Sequence, residues 1–257
     1  MYIIGYMRTR IDLNKEWIFI ADNKQIDVNI PHTWNAQGSS LVKYKGSATY
    51  IKKFNKPIEL KDKCIYIIFD GVNSVCDVIL NGMQIGHHEG GYSRFIIDIT
   101  NQIQESNTLA VKASNKTTDY IYPTTADFTF YGGIYRNVYL EICDKHHLKF
   151  NSYSSSPLKC TTSYANNIGH LNVCYTPAFK DDEVKIQIVN KDGLIIKEGH
   201  NKDFEINNPI LWNGIENPYL YKVKASLYHG NTLCDEVIEN IGFRSFKVDP
   251  INRFFLN

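Results

Sequence analysis

The sequence predicts an all-β protein made of two successive sandwiches. Aromatic residues make up 13% of the 257 positions, including 17 tyrosines, and aromatic side chains are enriched in strands. Short apolar or alternating runs recur along the chain between Gly, Pro and Asn turns. No window has the 3.6-residue period of an amphipathic helix. The length is sufficient for two domains, each with its own core.

In the first half, alternation of apolar and polar residues predicts half-buried strands at 10–20 and 46–54. The near-continuous apolar run 64–70 predicts a strand that is covered on both faces. Asn81-Gly82 follows a strand at 75–80 and favours a two-residue type I′ hairpin. Pro31 makes residues 30–35 a loop or an edge segment. Further strands are predicted at 83–87, 95–100, 108–114 and 135–142.

The polar residues Asp144–His147 are predicted to divide the chain into a domain at 1–144 and a domain at 145–257. We expect His146 and His147 to lie in a solvated linker. The spacing of strands over about 100 residues in the second half is typical of an immunoglobulin-like sandwich. These strands are predicted at 168–175, 183–189, 194–197, 220–227 and 233–237.

A long connection begins after Asn115 and ends in the segment Asp127–Arg136, which holds four aromatic residues and two adjacent glycines. Loops of this length are usually functional or disordered, and the aromatic content argues against disorder. A carboxylate can accept hydrogen bonds from sugar hydroxyls, and an aromatic ring can cover the apolar face of a sugar. Alternatively, Phe128 and Phe130 plug the end of a sandwich and Asp127 caps a turn. The residues alone leave both interpretations open.

Charge and cysteine content exclude several classes of function. The net charge of +1 gives no basic excess for a nucleic acid partner. No apolar run is long enough to span a membrane, and the apolar start of the chain is too short for a signal peptide. The six cysteines form no C-x-x-C pair, which favours reduced thiols in a cytoplasmic protein. Adjacent strand residues point to opposite faces, so we expect His87, His88 and Glu89 not to form a metal site. We also expect no cofactor.

Seven motifs follow one another along the chain: Phe69–Ser74, Leu80–Gly82, Gly90–Phe95, Asp127–Arg136, Leu211–Gly214, Asn217–Tyr221 and Ile241–Arg244. This ordered set resembles the N-terminal region of glycoside hydrolase family 2 enzymes. The resemblance covers roughly Arg8–Asn257. It implies a jelly-roll, galactose-binding-like sandwich, then an immunoglobulin-like sandwich, then an (α/β)8 barrel that holds the catalytic glutamates.

The resemblance also implies that the chain is the non-catalytic part of a retaining β-galactosidase-type hydrolase. The acid/base glutamate of the family follows an asparagine, and the sequence contains no Asn-Glu dipeptide. We therefore expect no catalytic residue here and no activity of the chain alone. Phe254–Asn257 is similar to the lead-in to the absent barrel. A stand-alone carbohydrate-binding module and an interaction scaffold remain alternatives.

The family's β-galactosidases hold galactose through two residues that correspond to Asn73 and Asp127, whereas its β-glucuronidases differ at the first position. The expected partner is therefore a β-galactoside, bound together with the barrel, and the full-length enzyme is a candidate homo-oligomer. Around these two residues we expect site-shaping side chains and loop anchors. The possible shaping residues are Phe128, Phe130, Tyr131 and Trp34, and the anchors are Gly132, Gly133 and Arg136, with Arg136 pairing a buried carboxylate or loop carbonyls.

Overall fold

The computed structural model describes residues 2–3, 7–57, 61–151, 156–251 and 253–257. Within these ranges the chain forms strands, turns and loops, and no helix. It divides into two compact units, the first formed mainly by Thr9–Ile142 and the second by Cys143–Asn257 together with Arg8. The all-β prediction is confirmed. Part of the N-terminal segment predicted not to be a signal peptide lies outside the described residues.

The first unit contains two antiparallel sheets. Its strands are β1 (Tyr2–Ile3), β2 (Thr9–Asp12), β3 (Trp17–Ala21), β4 (Lys24–Val28), β5 (Ser47–Asn55), β6 (Lys63–Phe69), β7 (Val75–Leu80), β8 (Met83–Glu89), β9 (Phe95–Asp98), β10 (Ser106–Ser114) and β11 (Val138–Asp144). One sheet has the order β4-β3-β5-β10-β7-β8, and the other has the order β1-β2-β11-β6-β9. Both sheets contribute side chains to one apolar core, including Trp17, Tyr50 and Phe69. Burying these apolar surfaces between the sheets is the main stabilising contribution to the unit.

The second unit has its own core. Its strands are β12 (Lys159–Ala165), β13 (Ile168–Cys174), β14 (Glu183–Val189), β15 (Ile195–Gly199), β16 (Asp203–Asn207), β17 (Trp212–Asn213), β18 (Asn217–Pro218), β19 (Tyr221–His229), β20 (Thr232–Ile241), β21 (Phe246–Asp249) and β22 (Arg253–Leu256). A sheet β12-β13-β16 and a sheet β15-β14-β19-β20 share a core that includes Leu171, Val223 and Phe243. Two short hairpins, β17-β18 and β21-β22, complete the described part of this unit.

Several local predictions are confirmed. Strands β7 and β14 have the predicted bounds. Asn81 and Gly82 both have positive φ, at 52° and 84°, as a type I′ hairpin requires. Consecutive residues Ile65–Phe69 of β6 are all buried, which confirms a strand that is covered on both faces.

Two predictions are wrong. Residues 10–20 do not form one strand, because Glu16 adopts φ 58° and the chain passes from β2 in one sheet to β3 in the other. His146 and His147 are not solvated, since His147 is buried and the His146 side chain is largely covered. The division between the units falls after Ile142, whereas the sequence placed it after Asp144.

The six cysteines, all among the described residues, form no disulfide bond, and two of them, Cys76 and Cys143, are buried. Burial raises the pKa of the Cys76 thiol to about 12. The described residues include no helix that is long and apolar enough to cross a membrane.

Candidate functional site

Three segments meet at one edge of the first unit: residues 71–74, residues 90–94 and the segment Asp127–Arg136. Asn73 and Gly133 form an isolated antiparallel bridge, in which each backbone amide donates to the other carbonyl, at 3.0 and 3.2 Å. Ser74 continues the contact, because its carbonyl accepts the amide of Gly90 at 2.8 Å. Backbone hydrogen bonds therefore fix the position of Asn73 relative to the long connection.

The Asn73 side chain is held between two of these segments. Its Nδ2 donates to the carbonyl of Tyr131. Its Oδ1 packs against Gly91 so closely that a Cβ at Gly91 would lie 1.9 Å from it. The side-chain amide has a second N–H that no contact of the described residues uses, and this group remains available to a ligand.

A cleft opens beside Asn73. It is bounded by Ser74, Tyr92, Asn115, the residues 116–118 and 121–123 of the long connection, and Phe130. Lys45 places its ammonium 4.6 Å from the centre of the Phe130 ring. The cleft therefore combines amide and hydroxyl groups with an aromatic ring, whereas the sequence predicted a carboxylate beside aromatic rings.

Asp127 does not line this cleft. It is exposed in an irregular part of the long connection, and it makes no hydrogen bond or ion pair within the described residues. The structure thus brings Asn73 together with Phe130 and Tyr131, but it does not bring Asp127 into the same cleft. The Asp127 carboxylate is exposed at the surface of the long connection, outside the cleft.

The aromatic residues of the segment divide by exposure. Phe128 and Tyr131 are 56% and 52% exposed, so Phe128 does not plug a sandwich. Phe130 is partly buried, and its ring lies 5.6 Å from that of Phe128. Trp34 is 1% exposed, so it does not face a ligand.

Trp34 packs instead against the backbone of the segment at Gly132. A Cβ at Gly132 would lie 2.0 Å from the Trp34 ring, and a Cβ at Gly133 would lie 2.5 Å from the Tyr50 hydroxyl. Gly133 also has a φ of 128°, which side chains rarely permit. Both glycines let the loop backbone press onto the aromatic core.

Two buried asparagines anchor the segment, and the sequence analysis did not identify them. The amide of Gly132 donates to Asn35 Oδ1 at 2.8 Å, and Asn115 Nδ2 donates to the carbonyl of Phe130 at 2.8 Å. Both side chains are 3% exposed. The only sequence signal was their position at the ends of loops, where Asn is common for other reasons.

Arg136 contacts loop carbonyls, one of its two predicted kinds of partner. Its Nη1 donates to the carbonyl of Tyr92 at 3.1 Å. The neighbouring Tyr135 hydroxyl donates to the carbonyl of Gly91, and burial raises the pKa of that hydroxyl. Residues 135 and 136 therefore tie the end of the segment to residues 91–92.

Behind the segment, the His32 ring and the Tyr50 hydroxyl are hydrogen bonded at 2.7 Å. Burial lowers the pKa of His32 and raises the pKa of Tyr50, so both groups are held neutral. The His32–Tyr50 contact behind the segment is accordingly uncharged at neutral pH.

His87 does not form a metal site with its neighbours. Its Nδ1 lies 2.7 Å from Asp77 and its opposite nitrogen, Nε2, lies 3.2 Å from Glu89. These carboxylates, Asp77 above all, raise the pKa of His87. The carboxylates flank the ring on two sides and do not converge on one point.

Comparison with known families gives the family of the chain. The family model described as "Glycosyl hydrolases family 2, sugar binding domain" matches residues 10–143, and the model "Glycosyl hydrolases family 2" matches residues 150–244. The chain belongs to glycoside hydrolase family 2. The ordered motifs that suggested this family in the sequence are thereby confirmed, and the first and second units correspond to the two matched regions.

Known members of family 2 match the chain over nearly all of its length. A β-glucuronidase of Bacteroides fragilis is 34% identical over 97% of the chain, and a β-galactosidase of Thermoanaerobacterium thermosulfurigenes is 31% identical over 98%. The crystal structure of an FMN-binding β-glucuronidase from Facaelibacterium prausnitzii L2-6 superposes with a TM-score of 0.87 at 28% identity, covering 98% of the chain. The chain spans only 40%, 39% and 42% of these three proteins, respectively.

Proposed function

We propose that this chain is the sugar-contacting, non-catalytic region of a retaining β-glycosidase of family 2, and that its substrate is a β-galactoside. The bridge between Asn73 and Gly133 is the observation that carries the proposal. It joins the two segments that supply Asn73 and Asp127, Asn73 at the cleft and Asp127 at the exposed surface of the long connection. One N–H of Asn73 and the Asp127 carboxylate have no partner among the described residues and are available to sugar hydroxyls.

Catalysis requires a domain outside this chain. Retaining cleavage uses two carboxyl groups about 5–5.5 Å apart, one as acid/base and one as nucleophile. Asp127 is the only acid of the segment Asp127–Arg136, and Asp70, which precedes residues 71–74 in the chain, is paired with Arg94. We infer that a barrel supplies both catalytic carboxyl groups.

The hairpin β21-β22 supports the inference of a further domain. Phe246, Val248 and Phe254 are each at least 60% exposed on it. Exposed apolar groups that lie close together mark surfaces for partners. We infer that the catalytic domain covers this hairpin.

Charge favours a β-galactoside over a β-glucuronide. An exposed Asp127 carboxylate beside the sugar would repel the carboxylate of a glucuronide, whereas it would accept hydrogen bonds from the hydroxyls of a neutral hexose. A β-glucuronide is nevertheless the second candidate, because a relative that is 34% identical to the chain carries the name β-glucuronidase.

The test uses an enzyme in which a family 2 barrel follows this chain. We expect Asp127→Asn and Asn73→Ala each to lower kcat/KM for a nitrophenyl β-galactoside by at least about tenfold, the equivalent of one lost hydrogen bond to a charged or amide group. Asp119→Asn changes an exposed acid of the same connection and serves as the control. Equal kcat/KM in all variants would refute the sugar contact, and faster cleavage of the β-glucuronide would select the second candidate.

The chain alone separates the remaining alternatives. We expect it not to hydrolyse the galactoside and not to bind galactose or lactose in calorimetry, because it supplies only half of the pocket. Millimolar binding that Asp127→Ala abolishes would instead identify a stand-alone carbohydrate-binding module. Concentration-dependent self-association without sugar binding would favour an interaction scaffold.

A further inference from the structure

In the second unit, His146, Asp182 and His229 converge on one point. The Nδ1 atoms of His146 and His229 lie 2.9 and 3.1 Å from the same oxygen, Oδ1 of Asp182. The two imidazole rings are stacked, with centroids 3.9 Å apart. One ligand atom from each residue falls within 4.8 Å of the others.

The strand register creates this arrangement. In the antiparallel pair β14 and β19, Glu183 lies opposite Tyr228, so Asp182 and His229 come together where the two strands meet the adjoining turns. His146 approaches from the segment after β11, where its backbone amide donates to Asp144 Oδ1 at 3.0 Å. Three separate segments of the unit therefore supply the three groups.

The described residues satisfy only one of the two carboxylate oxygens of Asp182. Its side chain is fully buried, and its second oxygen, Oδ2, has no hydrogen-bond partner. An unsatisfied buried carboxylate oxygen is costly. A bound cation would satisfy it.

We propose that His146, Asp182 and His229 form a binding site for a divalent transition-metal ion, with Zn²⁺ as the best fit. Two imidazole nitrogens and one carboxylate oxygen are ligands that Zn²⁺ accepts, whereas Ca²⁺ and Mg²⁺ require oxygen ligands. Zn²⁺ ligands at 2.0–2.2 Å in tetrahedral geometry lie about 3.3 Å apart, close to the two nitrogen–oxygen separations of 2.9 and 3.1 Å. The half-exposed His229 leaves room for water as a fourth ligand.

The ion would act as a cross-link. It would join the segment around His146, the turn before β14 and the end of β19, and its binding energy would stabilise the folded second unit. This inference is independent of the proposed glycosidase function, because the three residues lie in a different unit from Asn73 and Asp127.

The test measures Zn²⁺ and Co²⁺ binding to the chain after treatment with EDTA. We expect one equivalent of Zn²⁺ in calorimetry at pH 7.5 and a rise of the thermal midpoint on the order of 5–10 °C at saturating Zn²⁺. Binding weakens at pH 5.5, because protons compete for the imidazole nitrogens. We expect Co²⁺ to give the visible absorption bands of a four- or five-coordinate ion. We expect no thiolate charge-transfer band, because such a band would indicate that cysteines bind the ion.

Variants locate the ion. His229→Gln changes a half-exposed side chain and is expected to leave the fold intact, while Asp182→Asn keeps the shape of the buried group; each lowers the affinity at least tenfold. His87→Gln alters an exposed histidine of the first unit that lies between two carboxylates, and this variant is expected to bind Zn²⁺ as the parent does. The proposal would be overturned by the absence of stoichiometric Zn²⁺ binding, by His229→Gln and Asp182→Asn binding Zn²⁺ as tightly as the parent, or by a thiolate band.

Discussion

Asn115 Nδ2 donates to Asn35 Oδ1 at 3.0 Å, and both side chains are buried beneath the loop that carries Asp127. Asn115 also donates to the carbonyl of Phe130 and accepts from the amide of Gly46 at 2.9 Å. Asn35 accepts from Gly132 in turn. This amide pair is the polar support that holds the candidate sugar-binding loop on the first unit.

Asn115→Ala is therefore expected to lower the free energy of unfolding by about 2–3 kcal/mol, because it leaves several buried backbone groups without partners. Urea unfolding measures the change. Asn101 is exposed, and Asn101→Ala is expected to change stability by less than about 0.5 kcal/mol. Equal stabilities of the two variants would contradict a supporting role for the amide pair.

Gly133→Ala tests the packing of the loop against the core. The added Cβ would meet the Tyr50 hydroxyl at 2.5 Å, and we expect a loss of about 1–3 kcal/mol. Gly90 also has a positive φ, of 97°, but has no atom within 4 Å of an added Cβ. Gly90→Ala thus carries the backbone strain alone, and a thermal midpoint as low as that of Gly133→Ala would exclude the proposed steric cause.

Arg8 and Asp235 form a buried, bidentate ion pair in the second unit. Arg8 Nε and Nη2 donate to the two carboxylate oxygens at 2.9 and 2.7 Å, and the amide of Leu148 donates to the same carboxylate. Asp235→Asn leaves a buried guanidinium without its counter-charge, so we expect a loss of about 3–5 kcal/mol in urea unfolding.

Arg8→Lys keeps the charge but loses the planar fork, and we expect it to be destabilised less than Asp235→Asn. The control is Asp203→Asn, which affects an exposed acid that contacts Asn172. If Asp235→Asn is no less stable than Asp203→Asn, the ion pair makes no net contribution to stability.

His147 makes stability depend on pH. Burial, followed by the nearby Arg8, lowers the pKa of His147 in the folded chain. The unfolded chain then binds a proton more readily, so the contribution of His147 is fully present above the unfolded pKa of about 6.5 and is lost as pH falls towards the folded pKa. We expect the free energy of unfolding to decrease between pH 7.5 and pH 5.5.

His147→Gln should reduce this decrease, because the unfolded chain no longer gains a proton at that position. Burial also lowers the pKa of His32 and His88, so part of the decrease remains in the variant. His170→Gln changes an exposed histidine of the same unit and serves as the control. A pH dependence of His147→Gln identical to that of the parent would exclude His147 as a contributor.

The sequence by itself determined the all-β class, the Asn81-Gly82 hairpin, the doubly covered strand β6 and membership of family 2. Each of these depends on local periodicity, on turn chemistry or on an ordered set of motifs, all of which are written along the chain. It also singled out the segment Asp127–Arg136 and the neighbouring Asn73. The roles of Asn73 and Asp127 in sugar binding stay predictions.

The tertiary structure alone decided which distant residues meet. The contact of Asn35 with Asn115, the position of Trp34 beneath Gly132, and the convergence of His146 with Asp182 and His229 depend on strand register and sheet packing. Alternation within a strand states which face a residue occupies, but not which strand lies opposite. For this reason the sequence predicted Trp34 as a candidate for the site and His146 as a solvated linker residue. In the structure, Trp34 lies in the core and His146 lies beside the buried carboxylate of Asp182.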